Sequence, residues 1–113
     1  MTKRWFVMLL LLAISPLATA SAQRGGGEIY VTSATYGGNC GAPRNNVLHG
    51  LINACGGRQN CRYTVDWRMI GDPRPGCGKD FHVSWTCYQG QQERHAVLNP
   101  EASGQSVFLD CRR

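Results

Sequence analysis

A small, disulfide-rich α+β domain, mainly antiparallel β with one clear helix, is the fold class this sequence predicts, and three observations predict it. All six cysteines, Cys40, Cys55, Cys61, Cys77, Cys87 and Cys111, lie downstream of an apolar leader, and an even cysteine count in a short exported chain implies a framework of three disulfides. Several short runs alternate apolar and polar residues, the period of a half-buried strand. One run alone, from Asn45 to Cys55, repeats at helical spacing.

The leader sets the boundaries. Met1 to Arg4 is a short basic segment, Phe6 to Ile14 an unbroken apolar run, and Ala20-Ser21-Ala22 offers small residues for cleavage. That is the pattern of a secretory signal peptide over residues 1–22, cut near Ala22, leaving 23–113 as a single domain. The apolar run is too short to span a bilayer and no later segment is longer, so the expectation is a secreted or periplasmic protein with no membrane span. The formal net charge of +5 falls to about +3 once Lys3 and Arg4 leave with the leader. The remaining arginines are scattered singly, which argues against nucleic acid as a partner, and Arg112-Arg113 reads as a solvated end.

Gln23 to Gly27 is a Gly-rich lead-in. Glu28 to Tyr36 alternates and is expected to be a strand, with Ile29, Val31 and Ser33 on one face and Tyr30, Thr32 and Ala34 on the other. Asn45 or Asn46 is suited to cap a helix whose apolar face is Val47, Leu48, Leu51, Ile52 and Cys55, and Gly56-Gly57 stops it. Cys55 and Cys61 flank a tight loop and are expected to pair with each other. Arg62 to Val65 reads as a short strand and Asp66 to Ile70 as an ambiguous segment, a helical turn being one reading. Phe81 to Cys87 alternates as a half-buried strand. Tyr88 to Arg94 is a polar connection. His95 to Leu98 and Ser106 to Cys111 read as a closing hairpin with Val107, Leu109 and Cys111 facing in.

The stretch Gly71-Asp72-Pro73-Arg74-Pro75-Gly76-Cys77-Gly78-Lys79-Asp80-Phe81 carries most of the functional signal. Its prolines fix φ and its glycines permit φ > 0, so the backbone is shaped, and it holds the only lysine outside the leader. Asp72 and Lys79 then stand as acceptor and donor on a stiff support. Catalysis finds little to work with: there is no Gly-x-Ser-x-Gly elbow, no phosphate-cradling glycine loop, and no cysteine left free once three pairs form. Asp72, Asp80, Glu28 and Glu101 offer carboxylates but no spacing that fixes a hydrolytic pair. Cys-x-x-Cys is absent and His49, His82 and His95 are spread out, so neither a metal nor a cofactor is expected. A small polar ligand such as a sugar suits the residues better, because vicinal hydroxyls both donate and accept. Tyr36 can supply an aromatic wall.

In order along the chain, Ser33-Ala34-Thr35-Tyr36-Gly37, Asn53-Ala54-Cys55-Gly56-Gly57-Arg58-Gln59-Asn60-Cys61, Gly71-Asp72-Pro73 with Lys79, and Val83-Ser84-Trp85-Thr86-Cys87 closely resemble the rhamnose-binding lectin domain, also called the sea urchin egg lectin or galactose-binding lectin family. The likeness covers about residues 29–87. Family motifs are Tyr-Gly-Arg, Asp-Pro-Cys and Lys-Tyr-Leu, and family sugar contacts include a glutamate, the motif Asp and the motif Lys. The resemblance therefore implies a non-enzymatic, lectin-like carbohydrate binder in which Asp72 and Lys79 grip adjacent hydroxyls, with Tyr36 and Gly76 at matching positions. Gly38 stands where the family has arginine, and the cysteine after Asp-Pro is displaced, with Arg74 in its place and Cys77 three residues on. The opening strands of the family have no counterpart before Ile29, and Glu101 to Cys111 resembles them moved to the end, as in a circular permutation. On that reading Glu101 replaces the family glutamate, with Glu28 as fallback, and the cysteines pair as Cys40–Cys77, Cys55–Cys61 and Cys87–Cys111. Partners implied are carbohydrates or glycoconjugates, with oligomers or clustered glycans supplying avidity. The alternative is a secreted or periplasmic protein-interaction or enzyme-inhibitor module on the same scaffold.

Overall fold

The computed structural model describes residues 27–88 and 91–112. The expected leader, the lead-in up to residue 26, Gln89-Gly90 of the polar connection, and Arg113 lie outside the described residues. The domain is mainly antiparallel β with one clear helix and three disulfides, as its alternating runs and cysteines predict.

β1 (Tyr30–Tyr36), β3 (Phe81–Thr86) and β4 (Arg94–Leu98) form one antiparallel sheet in the order β1-β3-β4, and β2 (Asn60–Thr64) pairs with β5 (Ser106–Asp110) in a second. The faces of β1 differ from the expected alternation. Val31 pairs with Trp85 and Ser33 with Ser84, so Thr32 is an extra residue, a bulge that resets the phase. Beyond it Ala34 and Tyr36 point into the core while Ser33 and Thr35 turn outward and stay partly exposed. Were Thr32 paired in a regular ladder instead, Tyr36 would face solvent.

α1 (Leu48–Cys55) buries Leu51 and Cys55 with Val47, one stripe of an eight-residue helix. Ile52, expected on that face, is exposed, because it sits off the stripe. Neither asparagine caps the helix. The backbone of β1 has a free edge, and its polar groups need partners more than the helix end does. Asn45 Oδ1 accepts from Ala34 N–H at 3.1 Å, while Asn46 accepts from Tyr36 N–H and donates to Tyr36 C=O, both at 2.8 Å. Gly56 and Gly57 end the helix as their sequence predicts, with Gly57 N–H turning to Ile29 C=O.

β2 starts at Asn60, two residues before the expected start, because its partner β5 reaches back to Asp110. Asp66 caps α2 (Trp67–Ile70), a single helical turn, by accepting from Arg68 N–H. β3 is the middle strand of its sheet, so Ser84 and Thr86 are buried where plain alternation would expose one face.

The expected closing hairpin does not form. β4 pairs with β3 and β5 with β2, so the connection between them crosses from one sheet to the other. It is pinned on both sides: Ala102 N–H donates to Lys79 C=O, Gly104 N–H to Val65 C=O, and Val65 N–H to Gln105 C=O. A hairpin would forfeit these bonds. Val107, Leu109 and Cys111 do face in, against a core that includes Tyr36, Leu51, Phe81 and Trp85. The disulfides are Cys40–Cys77, Cys55–Cys61 and Cys87–Cys111.

Candidate functional site

The loop between α2 and β3 is built by its own punctuation. Asp72 Oδ1 accepts from Arg74 N–H at 3.3 Å, starting a turn. Arg74-Pro75-Gly76-Cys77 then reverses the chain with a Cys77 N–H to Arg74 C=O bond, proline at the second position and Gly76 at φ 81°, the arrangement of a type II turn. The turn aims the carbonyls of Arg74 and Cys77 inward. Outside contacts hold it there: the bond from Cys77 to Cys40, the Arg74 guanidinium donating to Gly41 C=O at 3.0 Å, and Asn39 Nδ2 donating to Gly78 C=O at 2.9 Å.

Lys79 closes this cradle. It is 4% exposed, and its ammonium lies 2.8 Å from Asp72 Oδ1, 2.8 Å from Cys77 C=O and 3.3 Å from Arg74 C=O. An ammonium has three protons, so all three find acceptors. Glu101 Oε1 stands 3.7 Å away and the Tyr36 ring centroid 5.5 Å. The lysine stem runs past Gly37, where a Cβ would come within 3.0 Å of Lys79 Cγ and where φ is 87°. Glycine is thus required twice over directly after Tyr36.

Glu101 ties the far side. Oε1 accepts from Lys79 N–H at 2.9 Å, and Oε2 accepts from the Tyr36 hydroxyl at 2.6 Å and from Ser103 N–H at 2.5 Å. Burial alone would raise this carboxyl. The hydrogen bonds from Tyr36, Lys79 and Ser103, with the lysine charge, outweigh burial and hold it below its ordinary range. Burial first, then the bond to Glu101, pushes the Tyr36 phenol far up. The bond to Asp72 chiefly raises the Lys79 ammonium.

Beside Asp72 a concavity of about 280 Å³ is bounded by Tyr36, Asn46, Ile70, Gly71, Asp72 and Pro73. The structure therefore brings Tyr36, Asp72, Lys79 and Glu101 together, with Gly76 shaping the turn beneath them. Glu28 is exposed and stands at the opposite end of β1 from Tyr36. Asn46, Ile70 and Ser103 belong to the site or its support, and sequence reasoning did not place them there. Only Asn46 left a signal, as half of an asparagine pair. Among the described residues no group of three His, Cys, Asp or Glu side chains is arranged to hold a metal ion, and no helix is long and apolar enough to cross a membrane.

No family model, curated protein or solved structure matches this chain. The class defined by fold and site geometry is a disulfide-stapled α+β domain with a polar cluster at the mouth of a small concavity.

Proposed function

We propose that this domain is an exported, lectin-like protein that binds a monosaccharide unit of the rhamnose or galactose type without chemical conversion. The supporting observation is the convergence of Asp72, Lys79, Glu101 and Tyr36 beside the concavity bounded by Gly71 to Pro73. Asp72 Oδ2 has no protein donor among the described residues, so it is free to accept from a sugar hydroxyl. A neighbouring hydroxyl can take a proton of Lys79 by replacing the longest of its three bonds, the one to Arg74 C=O. Glu101 already accepts from three protein N–H and O–H groups, so its first task is to fix Lys79 and Tyr36. In keeping with a permuted lectin order, Glu101 arrives on the segment just before the C-terminal strand β5.

A single site of this size should be weak, on the order of millimolar, because a small polar ligand gains little over its hydration. Titration of rhamnose and galactose followed by amide chemical shifts should move Asp72 and its neighbours, and Asp72→Asn should abolish the response while the protein stays folded. An unchanged response in Asp72→Asn removes this site from consideration.

A second reading is favoured by one observation: Lys79 is nearly fully buried and its protons are all engaged within the protein. A cluster satisfied in this way can serve purely as a brace, and the domain would then be a protein-interaction or inhibitor module. A glycan array screened at high concentration that stays blank with folded protein favours this second reading.

A further inference from the structure

The geometry points to a second saccharide subsite on α2, with Trp67 as its platform, so that the ligand is an oligosaccharide of at least two rings; this rests on the sugar-binding reading above. α2 is short, and one turn carries both features. Ile70 and Gly71, at its end, bound the concavity beside Asp72. Trp67 lies three residues before Ile70, and residues at that spacing are neighbours on one helical face, about 5–6 Å apart between Cβ atoms. The turn is closed by Gly71 N–H donating to Trp67 C=O at 2.8 Å.

Trp67 is also wired to the polar cluster from the other side. Its backbone N–H is held by Ser103 Oγ at 3.1 Å, and Ser103 N–H in turn donates to Glu101, the partner of Tyr36 and Lys79. The helix is therefore fixed at its start by the Glu101 side of the cluster, and its end leads through Gly71 directly into Asp72. Trp67 is 51% exposed, and its indole N–H has no protein acceptor among the described residues. The other tryptophan of the domain, Trp85, is 4% exposed and donates to Asp110 C=O. A rigidly mounted indole with an open face and a spare donor suits a pyranose: the apolar C–H face lies on the ring while a hydroxyl accepts from Nε1. The apolar surface it presents is costly in water and is covered when the second ring docks.

The test compares galactose, lactose, melibiose, rhamnose and a rhamnose disaccharide on the parent protein, Trp67→Ala, Trp67→Phe and Asp72→Asn, by calorimetry and intrinsic fluorescence. The parent should bind at least one disaccharide roughly tenfold more tightly than its terminal monosaccharide. Trp67→Ala should lose that gain and keep monosaccharide affinity within about twofold. Disaccharide should change tryptophan emission in the parent and not in Trp67→Phe. A disaccharide gain that survives in Trp67→Ala, or no gain in the parent, overturns the subsite while leaving the monosaccharide site standing. Absence of any response in the parent, to single or double sugars, overturns the sugar-binding reading and the subsite with it.

Discussion

At Tyr36 a phenol is buried because Glu101 gives it a partner, and Glu101 is held ionised because Tyr36, Ser103 and Lys79 all donate to it. Removing one donor should be felt throughout. Tyr36→Phe keeps the ring and deletes one charge-assisted bond, and should cost about 1.5–3 kcal/mol in urea unfolding with the m-value unchanged. The same cluster sets the pH range of the fold. The Glu101 carboxyl has a lowered folded pKa, so its stabilisation is present above the unfolded value and is lost as pH falls through the folded one; Asp66 and Asp110, lowered mainly by bonds from Arg68 and Arg112, add in the same sense. Lys79 and Tyr36 have raised folded pKa values, so their stabilisation is complete below the unfolded values and is lost as pH rises through the folded ones. Tm should therefore be flat near neutrality and fall below roughly pH 4 and above roughly pH 10. In Tyr36→Phe the alkaline fall should be shallower, with only the Lys79 share remaining, and a profile identical to the parent would show that the phenol contributes nothing.

Among the elements, the bulge in β1 decides which side chains reach the site. Deleting Thr32 would turn the bulge into a regular ladder with Ala34 and Tyr36 still facing in, whereas one residue inserted between Ser33 and Ala34 must flip those that follow or drag the strand out of register. The expected outcome of the insertion is a large loss of stability, with loss of Tyr36 protection in amide exchange ahead of the rest of β1; an insertion variant with parental stability would mean the phase is set elsewhere. The loop after α2 makes a second case. Cys40 and Cys77 are partly exposed whereas the other four cysteines are buried, so a mild dithiol should reduce Cys40–Cys77 first. Alkylation and mass mapping should find label at these two positions in protein that keeps its circular dichroism, and on the proposed function that protein should no longer bind sugar.

These elements also show what a sequence can and cannot say. The helix was legible because Val47, Leu51 and Cys55 repeat at helical spacing, and Asp72 with Lys79 because prolines, glycines and one lone lysine share a loop. The bulge was not legible, since one extra residue leaves the composition of β1 untouched. The hairpin was misread because a polar Pro- and Gly-containing connector looks the same whether it returns to its own sheet or crosses to another. Asn45 and Asn46 were misread because helix capping and pairing with a strand edge ask for the same side-chain amide.

Across the whole molecule, two sheets and a short helix share a small core, and covalent links make up for its size. Cys87 closes the end of β3 onto Cys111, just past β5, so this bond joins the two sheets directly. Its sequence separation of 24 implies about 3–4 kcal/mol of stabilisation. Replacing both cysteines by serine should leave the chain largely unfolded at 37 °C, and a cooperative melt near the parental Tm would show that the core alone suffices.

Because β4 and β5 belong to different sheets, the strap between them does two jobs: it fastens the seam of the domain and carries the carboxylate that steadies Lys79. Mechanical integrity and recognition are then coupled through one piece of backbone. On the proposed sugar-binding reading, substitutions that slacken the seam far from the concavity should weaken the binding of sugar, and an occupied site should in turn tighten the seam against opening.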